Sequence, residues 1–416
     1  MSVDLRGILR PGDHIVVGQA CGEPTTLVEA LQEQAPGIGG LSVFIATSFS
    51  GLFTPAGTEG LAVASMGAIG TLRALTKEHG LTVIPCHVGQ VGPLIEAGII
   101  GCDAAFIQVG SAGKDGDHSL GLISDHVRAA VDKARVVVAE INDQVPDTHG
   151  ERLPGALIGH RVPVSRPPVE VPPARIGPID EAIAGHAAAY IEDGSVVQTG
   201  IGAVPDAILR LLRDRTDLGV HSGMIGDGLV DLVEAGVVTN ARKPIDTGVS
   251  ITGALIGTRR LYDFAHGNPA IRMCPATYTH DAAVLARLDR LVTVNSAMEV
   301  DLTGQVNAEQ SGAAYLGGTG GQVDFVRAGA RSPGGHALIA LPATAKGGTV
   351  SRITSALTGP VTTARTDVDV IVTEYGAAEL RGRSLAERAR RLVAVAHPDF
   401  REDLDRAASA IARRGF

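Results

Sequence analysis

Tryptophan is absent from the 416 residues, and five Tyr and eight Phe are the only other aromatic residues besides histidine. A protein that stacks bases on aromatic platforms is therefore not expected. A basic excess is also missing: Lys and Arg number 36 against 45 Asp and Glu, a net charge of −9. That balance argues against nucleic acid or an anionic membrane surface as partner. The four cysteines, Cys21, Cys86, Cys102 and Cys274, show no CxxC spacing. A disulfide framework or a metal cluster is not supported, and reduced thiols in a cytoplasm are the expectation. Cys21, in GQACGEP, is read as a buried inert thiol rather than a nucleophile. No run approaches the roughly 18 apolar residues of a membrane span. The opening MSVDLRGILRPGDH lacks the apolar stretch of a signal peptide, which adds to the cytoplasmic expectation. GxxxxGK[ST], GxSxG and HExxH are all missing, so a nucleotide P-loop, a serine-hydrolase elbow and a metal-dependent hydrolase are disfavoured.

Glycine is present in excess: 53 of 416 residues, against a usual ~7%. With 44% hydrophobic and 19% charged residues, the chain has the material for a sizeable core, and its length suggests two or three domains. A glycine-rich, aromatic-poor, mildly acidic chain suggests an α/β enzyme whose backbone approaches its ligands closely.

Short β-branched runs alternate with amphipathic stretches, the pattern of a parallel sheet. Strands are predicted at Ile15–Val17, Leu41–Ile45, Thr82–Ile84, Ala104–Val109 and Val136–Ile141. Helices are predicted at Pro24–Glu33, Pro93–Ala97 and His126–Lys133. The segment Val162–Pro178 holds Pro163, Pro167, Pro168, Pro172, Pro173 and Pro178. Proline neither continues a helix nor pairs in a central strand, so this segment reads as a crossing between domains. The division is an α/β domain over 1–165, the proline-rich crossing over 166–178, and a second α/β domain over 179–416. A helix over Ile179–Glu192 follows the crossing, with Asp180 and Glu181 in its first turn. Both halves open alike. Gly12-Asp13 leads to a strand, a glycine turn, Pro24 and a helix; Asp193-Gly194 leads to a strand, Gly200-Ile201-Gly202, Pro205 and a helix. This suggests a weak internal duplication.

Gly200-Ile201-Gly202 stands between strand and helix, where backbone N–H groups face an anion. Pro205 occupies the third position of a dinucleotide fingerprint, which argues against a nicotinamide cofactor. The turn is either a plain tight turn or a set of amides aimed at a carbonyl oxygen that becomes negative. Gly317-Gly318-Thr319-Gly320-Gly321-Gln322 is costly to order unless bare backbone is required, so it reads as a ligand loop rather than a flexible one.

Longer motifs carry a resemblance. GIGAVPDAIL (200–209), GDGLVDLVEAGVV (226–238), GTRRLYDFAHGNP (257–269), VNSAMEVDLTGQV (294–306), GGTGGQVDFVRAGA (317–330), ALPATAKGGTVSRI (340–353) and VIVTEYGAAELRGRSLAERA (370–389) resemble the acetyl-CoA hydrolase/CoA-transferase family, in its 4-hydroxybutyrate CoA-transferase-like branch. DAAFIQVGSAGKDGDHSLGL (103–122) and VVVAEINDQVPDTHG (136–150) extend the resemblance over the first half. It implies two tandem open α/β domains with mainly parallel sheets, an active site at their junction in the C-terminal domain's loops, coenzyme A as substrate or product, and a homodimer or larger homo-oligomer.

In that family a glutamate takes the acyl group and then CoA, because a carboxylate is an acyl acceptor of the same class as the substrate acid. The segment that should hold it reads His221-Ser222-Gly223-Met224-Ile225-Gly226-Asp227-Gly228, so the nucleophile position is Gly223. The family asparagine that helps bind the reacting carbonyl falls at His280. The resemblance makes Ile201 and Gly320 or Gly321 the oxyanion donors. It places Gly200, Gly202, Gly317, Gly318, Gly321, Gln322 and Lys346 against the acyl group or CoA, with Glu299, Asn295 and Asp227 supporting. Glu299 and Glu23 are each weighed as a substitute nucleophile and set below loss of the covalent step. The expected chemistry is cleavage of an acyl-CoA thioester by water or a bound acceptor entering the space left at Gly223, with His280 as base near its ordinary pKa of ~6.5. The alternatives are a CoA-transferase using another carboxylate, with a small acid as partner, and an inactive acyl-CoA-binding protein.

Overall fold

In the computed structural model, which describes residues 3–77 and 80–415, the strand and helix pattern forms two open sheets. The first contains β1 (His14–Val17), β2 (Leu41–Phe44), β3 (Leu61–Ser65), β4 (Leu81–Val83), β5 (Ala104–Val109), β6 (Val136–Asn142) and β7 (His160–Val164). Their spatial order is β4-β3-β2-β1-β5-β6-β7, and every neighbouring pair is parallel. All six residues of β5 are buried, as expected when helices cover both faces of a parallel sheet. α1 (Thr25–Ile38), α2 (Val88–Glu96) and α3 (Val127–Lys133) supply part of that cover.

The second sheet contains β8 (Val196–Thr199), β9 (Gly219–Val220), β10 (Leu291–Asn295), β11 (His336–Ala340), β12 (Val370–Thr373) and β13 (Gly376–Glu379), in the order β9-β8-β10-β11-β12-β13. Only the terminal β12–β13 hairpin is antiparallel. α4 (Pro178–Ala188), α5 (Ala203–Leu211), α6 (Asp227–Glu234) and α7 (Gln322–Arg331) pack around it. In each sheet the chain reverses its direction of travel beside the first strand, between β1 and β5 and between β8 and β10. Such switch points leave a crevice at the carboxyl ends of the strands. Gly18–Pro24 fills the first and Gly200–Gly202 the second.

Several boundaries differ from the sequence reading, among them α1, which continues past Glu33 to Ile38 with Pro36 inside it. The proline-rich segment begins as a strand: β7 runs through Pro163, which is tolerated because β7 lies at the sheet edge. α2 starts at Val88, before Pro93, so Pro93 lies inside the helix. α4 ends at Ala188 rather than reaching Glu192.

The two sheets are joined by apolar packing and by backbone pairing. One buried cluster includes Val16 and Ile107 of the first sheet together with Val197 and Leu338 of the second. Ala68 N–H donates to Gly317 O (2.7 Å) and Val88 N–H to Gly320 O (2.9 Å). Ser124 N–H donates to Gly253 O, Leu255 N–H to Leu122 O and Ala276 N–H to Asp125 O. Buried backbone groups of one unit thus find their partners on the other, which satisfies them only in this docking arrangement.

Candidate active site

The turn after β8 is shaped by its glycines. Gly202 has φ +120°, a conformation L side chains rarely adopt, and α5 begins one residue later. A Cβ at Gly200, Gly202 or Gly320 would meet nothing within 4 Å, so these three backbones border open space. Among the described residues, neither Ile201 N–H nor Gly320 N–H donates to a backbone carbonyl. The two amides are free to point at a ligand.

Gly317, Gly318, Gly321 and Gly223 are glycine for another reason: each is pressed against a neighbour. A Cβ at Gly317 would lie 2.2 Å from Ala308 O, and one at Gly318 would lie 3.1 Å from Gly67 Cα. Gly318 lets the loop run against the first unit, while Gly317 packs on Ala308 of its own unit. The loop therefore serves first as a seam between the sheets. Gln322, at the start of α7, is buried, and its amide lies 3.3 Å from Thr363 Oγ1.

Gly223 follows β9 in a segment fastened on several sides. Ser222 Oγ donates to Thr199 O (3.0 Å), and His221 Nε2 lies 3.1 Å from Thr279 O. Gly253 N–H donates to Gly223 O (3.1 Å). A Cβ at Gly223 would lie 2.7 Å from His280 Cε1 and 2.8 Å from Nε2. On the ring's other side, a Cβ at Gly321 would lie 2.2 Å from the same Nε2. The volume beside Gly223 is consequently filled by the His280 imidazole, and the expectation of a vacant space there is corrected. The residue sits in the C-cap of a helical turn, Ala276–Thr279, and its ring meets Phe325 edge-on at 4.7 Å.

Thr279 Oγ1, 2.8 Å from His280 Nδ1, orients the ring. Asp281 does not: its carboxylate caps the next helical turn through Ala283 and Val284 N–H. Burial, and next the neighbouring His221, push the His280 pKa down to about 3. The ring is neutral at working pH, and the expected value near ~6.5 is corrected.

The other carboxylates are occupied. Glu299 accepts from Thr358 N–H (2.7 Å), Thr358 Oγ1, Gly359 N–H and Asn307 Nδ2. Glu23 accepts from Ser48 Oγ, Ser50 Oγ and the N–H groups of Phe49 and Ser50. Burial raises it to about 7 despite those bonds. Asp227 accepts from Thr258 N–H (2.9 Å) and Oγ1 (2.8 Å). Sequence reasoning passed over Asp125, which meets Gln19 Nε2 at 2.5 Å through Oδ2 while its buried Oδ1 has no partner. A Cβ at Gly253 would lie 2.2 Å from that Oδ1, which places Asp125 one residue contact from Gly223. Burial raises it to about 7. Nothing local in SLGLISDH marks it, because its neighbourhood is made by the second unit. Cys21 is fully buried, and burial pushes its thiol up to about 12.

One cavity extends from the turn and a second adjoins it at Asp180. The first, of about 340 Å³, is bordered by Gly200–Pro205, Asn295 and Ser296. Asn295 Nδ2 donates to Gln198 Oε1 at 3.2 Å. The other, of about 580 Å³, is bordered by Lys346, Gly347, Gly348, Tyr375 and His397. Asp180 lines both. Among the described residues, no helix is long and apolar enough to cross a membrane, and no group of three or more His, Cys, Asp or Glu is placed to hold a metal ion.

Residues 3–156 match the acetyl-CoA hydrolase/transferase N-terminal domain, and residues 257–408 match the acetyl-CoA hydrolase/transferase C-terminal domain. The chain is 39% identical to the 4-hydroxybutyrate coenzyme A transferase of Clostridium kluyveri, covering 94% of this chain and 92% of that one. It is 34% identical to the succinyl-CoA:cyclohexane-1-carboxylate CoA transferase of Geobacter metallireducens, over 99% and 95% of the two chains. RipA from Yersinia pestis superposes with a TM-score of 0.92 at 34% identity, covering 98% of this chain and 96% of that one.

Proposed function

The chain belongs to the acetyl-CoA hydrolase/transferase family, and on that premise we propose that it cleaves an acyl-CoA thioester without forming a glutamyl intermediate. The observation that carries this reading is the pair at the nucleophile position: Gly223 offers no side chain, and His280 fills the volume beside it. The thioester carbonyl lies at the amides of Ile201 and Gly320, which stabilise the oxygen as it becomes negative. Water, or the nucleophile of a bound acceptor, attacks the acyl carbon. The new C–O bond forms as the carbonyl π pair moves onto the oxygen and the proton of the nucleophile goes to His280 Nε2; the pair then returns, the C–S bond breaks, and the CoA thiolate takes the proton from the ring. Thr279 holds the ring so that Nε2 faces Gly223 and Gly321. CoA extends from the turn past Asn295 and Ser296 to Lys346, whose ammonium meets its phosphates. The glycines at 200, 202 and 320 leave room for this track.

Incubation with an acyl-CoA, followed by hydroxylamine trapping and intact-mass analysis, tests the proposal. Free CoA should appear without an acceptor acid and without a trapped adduct. A hydroxamate at any carboxylate would overturn it. Asp125 is the side chain to inspect first, since its free oxygen favours the second reading, a CoA-transferase that uses a different carboxylate. Tight binding without turnover would instead identify an acyl-CoA-binding protein. His280→Ala should lower the rate roughly 10²–10⁴-fold if the ring takes the proton.

A further inference from the structure

A cavity of about 380 Å³ shares the Ile201–Gly202 turn with the thioester site and runs between α5 and α6. Next to the turn its wall includes Gly226 and Gly228; along α5 it reaches Arg210, at a rim open to solvent. Its other arginines are already paired. Asp231 holds Arg213 (3.3 Å) and Arg260 (2.6 Å), Glu234 also holds Arg260 (2.9 Å), and Asp227 is bound by Thr258. Among the described residues Arg210 makes no ion pair. Burial raises Asp206, one turn earlier on α5, above the usual carboxylate range, against the pull of the neighbouring Arg210 guanidinium.

We propose that this cavity receives the acyl chain and that Arg210 selects an acyl group ending in a carboxylate. The proposal rests on the thioester carbonyl lying at Ile201. Arg210 follows the start of α5 by about two turns, roughly 10 Å, and helical side chains lean back toward the N-terminus. The remaining span of roughly 6 Å suits an acyl chain of glutaryl or adipyl length. A carboxylate at the solvent rim keeps part of its hydration while it meets the guanidinium in a charge-assisted bond.

Calorimetric titration of the full chain with CoA, pentanoyl-CoA and glutaryl-CoA reads the preference independently of turnover. Glutaryl-CoA should bind about tenfold more tightly than pentanoyl-CoA, a difference typical of one charged hydrogen bond. Arg210→Met should abolish the difference and leave pentanoyl-CoA unchanged, while Arg210→Lys should keep part of it. Equal affinities in the native protein, or a preference that survives Arg210→Met, would overturn the assignment of the cavity alone. Failure of CoA itself to bind would overturn the thioester reading and this proposal together.

Discussion

Restoring a glutamate at position 223 should fail unless the histidine is removed with it. A Cβ at Gly223 would stand 2.7 Å and 2.8 Å from two atoms of the His280 ring, several tenths of an ångström inside ordinary contact. The ring has little room to retreat. Gly321 closes its other side, Phe325 packs on its edge, and Thr279 holds Nδ1. Gly223→Glu alone should therefore cost about 1–3 kcal/mol through overpacking. His280→Asn clears the space, so the double variant should be more stable than the sum of the singles predicts, by about 1–3 kcal/mol of coupling. The assay is a denaturant double-mutant cycle combined with hydroxylamine trapping after addition of an acyl-CoA. A trapped glutamyl adduct is expected only in the double variant. Additivity within about 0.5 kcal/mol would refute the reasoning, because residues that do not compete for one volume do not couple. Adduct formation by Gly223→Glu alone would refute it equally.

Three further outcomes follow from the buried groups. Because burial holds His280 neutral down to about pH 3, the pH profile of kcat/KM should show no acid limb near ~6.5 attributable to this ring; a limb there that disappears in His280→Gln would contradict the assignment. Glu299→Gln should lower stability by about 1–3 kcal/mol, since one carboxylate satisfies two backbone N–H groups, a hydroxyl and an amide. Thioester cleavage should persist in the folded fraction of that variant, and complete loss of activity with unchanged stability would make Glu299 a participant in the chemistry. His126 and His221 are pushed down to about 4 by burial, as His280 is to about 3. Their folded pKa values lie below the unfolded ones, so the stability they contribute is present above about pH 6.5 and declines toward pH 4 as the unfolded chain takes up protons. Glu23 and Asp125, raised to about 7, act oppositely: their contribution is present below the unfolded values near ~4 and declines as pH rises to 7. Both nitrogens of His126 lack partners; His126→Phe should thus raise stability at pH 5 more than at pH 7.5 in urea titrations, and a larger loss at pH 5 would contradict this.

The sequence by itself determined the alternation of strands and helices, the glycine turn after β8, and the glycine at position 223. These are local properties: periodicity, turn chemistry and one residue's identity are written in consecutive positions. Even there, Pro93 and Pro163 marked boundaries that packing overrode, one inside a helix and one on an edge strand. Only the tertiary structure decided what each glycine is for. Gly200, Gly202 and Gly320 border open space, whereas Gly318 presses against the first sheet's unit, Gly317 against Ala308 of its own unit, and Gly223 and Gly321 clasp an imidazole. It also decided that the His280 ring fills the volume beside Gly223 and that burial disfavours its charged form. Close packing brings segments far apart in the chain into one volume, and burial then sets the charge of what is enclosed. Neither effect leaves a mark in the neighbouring letters of the sequence.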